Sequence, residues 1–210
     1  MGTNLHDRDI GHNFPHWHYY LNLEKDLTEC LRYVEPVEQQ FDVYSDEFAR
    51  IILLAASEFE NSLKELIEVI GKNSKGNLQT LREPLISEFP SLVEMEFYVP
   101  RCDIVLKPLG DWESGKEKNP DWWKNGYVKI KHDKTRNPES ASLRRAFDSV
   151  AALQLMLLYL YKKKYNDPVL PITLAPNLIQ PRDISTSSYW DTGIITWEWR
   201  LPDYPVMQTE

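Results

Sequence analysis

One long amphipathic segment, residues 45–71, constrains the fold of this chain more than any other feature. Ser45 is a good N-cap, and Asp46 and Glu47 follow in the first turn, where the helix dipole favours carboxylates. Gly71 supplies a C-terminal stop. Between these signals, apolar residues recur at steps of three and four: Phe48, Ile52, Ala55, Phe59, Leu63, Leu66 and Ile70. The spacing predicts a long amphipathic helix.

A second strong helix signal follows Ser140 or Ser142, either of which can mark its start. The apolar face after it is broad enough for a deeply buried helix: Leu143, Ala146, Phe147, Val150, Ala151, Leu153, Leu157, Leu158 and Tyr161. Three lysines, 162–164, favour the negative end of the dipole, and Asn166 and Pro168 stop the helix.

Two further segments carry helical signals. Apolar residues recur at helical spacing over 19–35, and Pro36 closes that segment. Another helix start is indicated by Asn119, a good N-cap. Pro120 follows at the first helical position, and the acidic Asp121 comes next. We therefore expect one helix over 19–35 and another that begins at Pro120.

Alternating patterns indicate a small β component. Alternation over residues 95–106 predicts a short hairpin, and alternation over 194–201 after the turn at 191–193 predicts a C-terminal β-hairpin. Residues 1–17 are polar and show no period, which predicts a loosely held arm. The sequence thus predicts a mainly α fold: a single domain, 1–210, forming a helical bundle with two small β-hairpins and a β-rich C-terminal extension over 171–210.

Composition excludes several classes of protein. The net charge of −8 argues against tight nonspecific binding to duplex nucleic acid, which rests on neutralising phosphates. The N-terminus lacks the apolar stretch of a secretory signal, and the longest apolar run, 150–161, is shorter than the roughly 20 residues that a bilayer span requires. Cys30 and Cys102 fit neither a disulfide framework nor a zinc pattern. We expect a cytoplasmic protein with reduced thiols and no membrane contact.

Three histidines near the N-terminus, His12, His16 and His18, lie close enough in sequence to bind zinc, nickel or copper. Pro15 breaks the helix that would align His12 with His16, and no Asp, Glu or Cys at ligand spacing completes the set. A polar arm without metal is the favoured interpretation, and the sequence indicates no cofactor.

Residues 122–136 concentrate cations around one histidine in an otherwise acidic chain. An imidazole such as that of His132 can move a proton near neutral pH, while neighbouring cations such as Lys131 and Arg136 stabilise charge on phosphoryl oxygens. The segment therefore suits phosphate chemistry. The alternative is that Lys-rich helix ends are simply solvated.

The order of these segments resembles that of bacterial proteins of the HEPN superfamily. A long helix with Phe59, Glu60 and Lys64 precedes the Trp122–Trp123 pair, Tyr127 and residues 131–134, and then the apolar helix over 146–161. The likeness covers roughly residues 40–165, including the stretch 106–112. It implies a helical bundle that forms a homodimer, with its site at the dimer seam. It also implies either a metal-independent endoribonuclease of toxin–antitoxin or phage-defence systems, or a noncatalytic RNA-binding or assembly module.

The motif of the catalytic HEPN members is an arginine followed by four to six residues and a histidine. His132 matches the histidine, whereas Asn125, Gly126 and Tyr127 occupy the positions of the arginine, with Lys124 one step earlier. Lysine lacks the planar fork with which arginine grips phosphate oxygens.

The resemblance leaves two functions open. In the enzyme interpretation, His132 is the general acid or base, and Lys131, Lys134 or Arg136 stabilises the phosphorane. In the binding interpretation, the same basic segment only holds an RNA, a nucleotide or an acidic protein partner, with contacts from Lys124, Asn125, Tyr127 and Lys134.

Two other groups have plain structural explanations. Glu60 and Lys64 are spaced i,i+4 on the predicted helix. This spacing favours an ordinary surface ion pair over a role for Glu60 in orienting His132. The aromatic residues suit stacking on unpaired bases but are more often core at this spacing. They are Trp122, Trp123, Tyr127, Trp190, Trp197 and Trp199.

Overall fold

Five α-helices and two small antiparallel sheets make up the part of the chain that the computed structural model describes. That part comprises residues 14–112, 119–165, 170–171, 174–182, 196–197 and 201–204. The α-helices are α1 (Pro15–Cys30), α2 (Asp46–Val69), α3 (Leu78–Glu88), α4 (Val128–Asp133) and α5 (Leu143–Tyr165). The strands are β1 (Phe97–Val99), β2 (Ile104–Leu106), β3 (Leu170–Pro171), β4 (Gln180–Pro181) and β5 (Thr196–Trp197). The predicted mainly α fold class is confirmed.

The helix α2 begins and ends where the sequence predicts. The Ser45 side chain accepts a hydrogen bond from the backbone N–H of Phe48 at 3.1 Å, which satisfies one of the free donors at the helix start. Gly71 follows the helix with a φ of +75°, a left-handed conformation that glycine adopts without a steric cost. The apolar stripe of α2 packs along α5.

The helix α5 is the centre of the fold. Every residue from Ser149 to Tyr161 is buried, because α1, α2 and the chain around Trp122 cover different sides of the helix. Gln154 lies in this interior and donates a hydrogen bond to the carbonyl of Ile179 at 3.2 Å. The predicted deeply buried helix is therefore confirmed, and its C-terminal half also holds the segment that follows it.

The helix α1 begins earlier than predicted. It starts at Pro15, which fits the first helical position, instead of at Tyr19. Trp17 is fully buried, and its indole N–H donates to the carbonyl of Leu174 at 2.8 Å. The prediction of a loose arm over 1–17 is therefore wrong for residues 14–17, since aromatic burial anchors them; residues 1–13 lie outside the described part of the chain.

The helix α3 was not predicted, and Pro84 lies inside it, where a proline removes a backbone hydrogen bond. Asn77 caps its start by accepting a hydrogen bond from the backbone N–H of Thr80 at 3.1 Å. Leu78, Leu81 and Leu85 are buried at helical spacing. Burial of a large apolar side chain stabilises the fold by about 1.5–3 kcal/mol. The free energy from burying the three leucines therefore outweighs the loss of the backbone hydrogen bond that Pro84 cannot donate.

The first predicted hairpin is confirmed, and the second lies largely outside the described residues. Strands β1 and β2 pair antiparallel with Phe97 opposite Leu106, and β4 adds to the other edge of β1. At the C-terminal end, β5 pairs with β3, with Trp197 opposite Leu170. The predicted turn at 191–193 lies outside the described residues.

A buried carboxylate holds this returning segment. Glu24 on α1 accepts hydrogen bonds from the backbone N–H groups of Asn177, Leu178 and Ile179 at 3.0–3.1 Å, and from the Tyr20 hydroxyl at 3.0 Å. Glu24 is almost fully buried, so these donors replace the water that its charge would otherwise need. This set of bonds, the Glu24 clasp, fixes the C-terminal segment to α1.

Both cysteines, Cys30 and Cys102, are free, as predicted. Within the described ranges, no helix combines the length and the apolar character that crossing a bilayer would require.

Candidate functional site

A π-helical turn leads into the segment that carries the predicted site. Residues Trp122–Tyr127 form this turn, which is wider than an α-helical turn and so lets two consecutive tryptophans face the core. The rings of Trp122 and Trp123 lie 5.2 and 6.1 Å from that of Phe59 on α2. Trp122, Trp123 and Tyr127 are buried, which confirms the core interpretation for these three. Trp190, Trp199 and the Trp197 side chain lie outside the described part.

The start of the turn is anchored by Asp121. Its carboxylate accepts hydrogen bonds from Arg145 Nε at 2.7 Å and from Asn125 Nδ2 at 2.6 Å. Burial alone would raise the pKa of Asp121, but these two hydrogen bonds and the Arg145 charge lower it below its ordinary value. Asn125, predicted as a ligand-binding residue, is thus engaged in holding its own helix.

Lys131 lies beside Tyr127 on the exposed side of α4. Its ammonium donates to the Tyr127 hydroxyl at 3.2 Å and lies 5.2 Å from the centre of that ring. The hydrogen bond to Tyr127 raises the pKa of Lys131. Lys131 therefore remains a cation at neutral pH and suits charge stabilisation better than proton transfer.

Two of the predicted cations are engaged by carboxylates. Lys134 contacts Asp46, in the first turn of α2, at 2.6 Å. Arg136 Nε lies 3.3 Å from the Asp133 carboxylate, while the rest of its side chain is solvent-exposed. The Lys134 pair links the end of α4 to the first turn of α2 at the protein surface.

His132 itself is exposed, and it makes no hydrogen bond or ion pair with the described part of the chain. Lys124 and Lys129 are exposed or partly exposed as well. We call this set the α4 face: Lys124, Lys129, Lys131, His132 and Arg136. It is a surface of exposed cations around one exposed imidazole.

Of the three histidines near the N-terminus, His16 has carboxylate partners in the described part of the chain, and His18 is exposed. His16 lies between two carboxylates of α2, with Nδ1 against Glu58 and Nε2 3.2 Å from Glu65. Lys164 on α5 contacts Glu65 at 2.7 Å. Across the described ranges, no group of three His, Cys, Asp or Glu side chains is placed to hold a metal ion, while His12 lies outside them.

Glu60 makes the surface contact that the sequence favours. Lys64 contacts Glu60 at 2.6 Å, as expected for an i,i+4 pair. The pair is partly exposed and lies on the α2 surface, so it is the ordinary helix-supporting contact that the sequence favours.

A polar cavity that the sequence does not indicate lies next to Asp121. It measures about 300 Å³ and is lined by charged side chains of both signs, together with Trp122: Lys107, Asp111, Asp121, Arg144 and Asp148. Arg144 Nε donates to one oxygen of Asp148 at 2.9 Å, and the other oxygen is buried with no donor among the described residues. Burial raises the pKa of Asp148 to about 6, with Asp121 and Asp111 acting in the same direction and Arg144 opposing them.

Comparisons with known proteins give no assignment: no family model, no curated protein and no solved structure matches this chain. The likeness to HEPN proteins stays a prediction from the residues quoted above.

Proposed function

We propose that this chain is a noncatalytic, HEPN-like binding module that holds single-stranded RNA on the α4 face. The observation that carries the proposal is the accessibility of Lys124, Lys129 and Lys131 on one short segment, beside His132. Phosphate oxygens are attracted to such a row of cations without any need for a pocket.

Binding is favoured over cleavage because the groups for acid–base catalysis are not held in place. His132 has no partner among the described residues that would fix its tautomer or orientation, and Arg136 and Lys134 are engaged by Asp133 and Asp46. Catalysis of phosphoryl transfer relies on preorganised charge in a site that excludes water. An open face with one free imidazole supplies attraction but little preorganisation.

Single-stranded RNA fits the charge distribution better than a duplex. The whole chain carries a net charge of −8, so a long duplex would meet repulsion outside the α4 face. A short single strand can follow the few cations that are available. With three or four phosphates neutralised, the slope of log K against log salt is expected to be about −2 to −3.

A symmetric homodimer is part of the proposal. Support for it comes from the resemblance to HEPN proteins and not from surface charge, because two copies that meet along α4 would bring the cations of the α4 face against their own equivalents. Light scattering at tens of micromolar protein measures this. The mass of a single chain would remove the dimer from the proposal.

Fluorescence anisotropy with a labelled single-stranded RNA, in EDTA and low salt, tests the binding. We expect saturable binding of wild-type protein that weakens about tenfold in Lys129→Glu, since reversal of one contact replaces attraction by repulsion. Lys25→Glu is the matched control, because Lys25 is an exposed lysine on α1 and its reversal changes the net charge equally. Inorganic phosphate and a mononucleotide as competitors distinguish an RNA strand from a single phosphate group.

The same samples test for cleavage. Intact RNA after long incubation supports the module, whereas cleavage that disappears in His132→Ala would establish the enzyme interpretation instead. Equal binding by wild type, Lys129→Glu and Lys25→Glu would show that the α4 face is not the site.

A further inference from the structure

An apolar groove with an acidic rim lies between the C-terminal end of α1 and the N-terminal end of α2. The groove, which we call the acidic groove, encloses about 350 Å³. Cys30, Val34 and Phe48 form its apolar part, Tyr33 stands at its edge, and Glu29 and Glu47 supply carboxylates. A space of this size admits one large apolar side chain.

An exposed aromatic side chain lies at this groove. The Tyr33 side chain is 88% exposed, the highest value among the exposed large apolar residues of the described ranges, and Val37 and Tyr44 close by in sequence are exposed too. Tyrosine is enriched at protein interfaces because it offers a large contact area and loses little conformational entropy on binding. The chain thus places an interface-type side chain in water beside a cavity.

The charged side chains that line the groove are negative. They are three carboxylates, Asp26, Glu29 and Glu47, and no lysine or arginine of the described part of the chain lines the groove with them. Arg50 is shared between Asp26 and Glu47. Glu29 is exposed and has no ion-pair partner among the described residues. The rim is therefore only partly neutralised.

We propose that the acidic groove binds a basic, amphipathic peptide segment of a partner protein. One large apolar side chain of the peptide enters between Val34 and Phe48, and flanking lysines or arginines pair with Glu29 and Glu47. An arginine can also stack on the Tyr33 ring. This surface is separate from the α4 face and does not depend on RNA binding.

The charge decides between the possible occupants. An RNA strand would be repelled by the same carboxylates that attract a basic peptide. A second copy in a two-fold symmetric contact would bring Glu29 and its neighbours against their own equivalents, which like-charge repulsion opposes. A separate, basic partner is the occupant that complements both the cavity and its rim.

The probe for this proposal is a random twelve-residue peptide library displayed on phage and selected on the full-length protein. We expect enriched peptides with one aromatic or large aliphatic residue flanked by at least two basic residues. A synthetic copy of the enriched sequence, titrated by calorimetry, is expected to bind about tenfold more weakly to Glu29→Lys. Glu68→Lys is the matched control, since Glu68 lies on α2 roughly 30 Å along the helix from Glu47.

The two cysteines provide a second readout in the wild-type protein. Cys30 lines the groove, whereas Cys102 is a similarly half-buried free thiol near the β1–β2 hairpin. Bound peptide is expected to slow alkylation of Cys30 and to leave that of Cys102 unchanged, as followed by mass spectrometry. Because this measurement needs no substitution, it remains informative if a variant fails to fold.

Three results would overturn the assignment. The first is a selection that enriches no peptide, or only peptides without basic residues. The second is an equal loss of affinity in Glu29→Lys and Glu68→Lys, and the third is peptide binding without protection of Cys30. Tight self-association that Glu29→Lys abolishes would show instead that a second copy occupies the groove.

Discussion

Replacement of Asp148 by asparagine should stabilise this protein at neutral pH. One oxygen of Asp148 is buried with no donor among the described residues, and the side chain is only 15% exposed. The ion pair with Arg144 compensates only part of the cost of burying the charge. An asparagine side chain at this position would keep an oxygen for Arg144 and remove that charge.

The magnitude follows from the pKa of Asp148. A rise from the ordinary value of 3.8 to about 6 means that the ionised form destabilises the folded state. At about 1.36 kcal/mol per pKa unit, this cost is roughly 3 kcal/mol when pH is well above 6. Since the folded state binds the proton more tightly, the wild type recovers this free energy as pH falls through 6 and has recovered it fully below 3.8.

Urea unfolding followed by tryptophan fluorescence, at several values between about pH 7.5 and 4, measures the effect. We expect Asp148→Asn to be about 1–3 kcal/mol more stable than wild type at about pH 7.5, with the difference shrinking steadily below about pH 6. Asp42→Asn, at an exposed carboxylate, is the matched control and should stay within about 0.5 kcal/mol of wild type. A variant that is less stable near neutral pH, or a difference that does not change with pH, would refute the reasoning.

Three further substitutions test the packing and the caps. Glu24→Gln should lower the free energy of unfolding by about 2–4 kcal/mol, because it puts an amide N–H₂ against the backbone donors of the Glu24 clasp; faster hydrogen exchange at residues 177–179 would locate the loss. Leu153→Ala, in the fully buried part of α5, should cost about 2–5 kcal/mol in urea unfolding. Ser45→Ala should cost about 1 kcal/mol through the lost cap of α2, and an unchanged midpoint would contradict the capping role.

The sequence predicts helices well where local signals and burial agree. The start of α2 has a serine cap, acidic residues and an apolar stripe, and all three point to the same boundary. The start of α1 and the whole of α3 were missed, because their stability comes from tertiary burial of Trp17 and of a leucine stripe around Pro84. Likewise, the pairing of β5 with β3 joins residues far apart in sequence, and no local turn signal reports it.

The candidate site was also predictable only in part, because local sequence signals show its residues but not their tertiary contacts. The basic segment around His132 is visible in the sequence, but the contacts of Lys134 with Asp46 and of Arg136 with Asp133 depend on how the chain folds back. The burial of Glu24 had one signal in the sequence, since Glu24 occupies a core position in the stripe formed with Tyr20, Leu23 and Leu27. The cavity beside Asp148 had no signal in the sequence, because its charged side chains come from separate loops and helices.

The central place of α5 has a consequence for how the protein is made. Its main neighbour, α2, leaves the ribosome 73 residues earlier, since residues 70–142 lie between the two helices. At about 5–20 residues per second, synthesis of that stretch takes roughly 4–15 s. During this time the apolar faces of α1 and α2 have no α5 to cover them, and closing so long a loop slows folding. Burial of the core therefore waits for translation to pass Tyr165, which makes the nascent chain dependent on protection from aggregation until then.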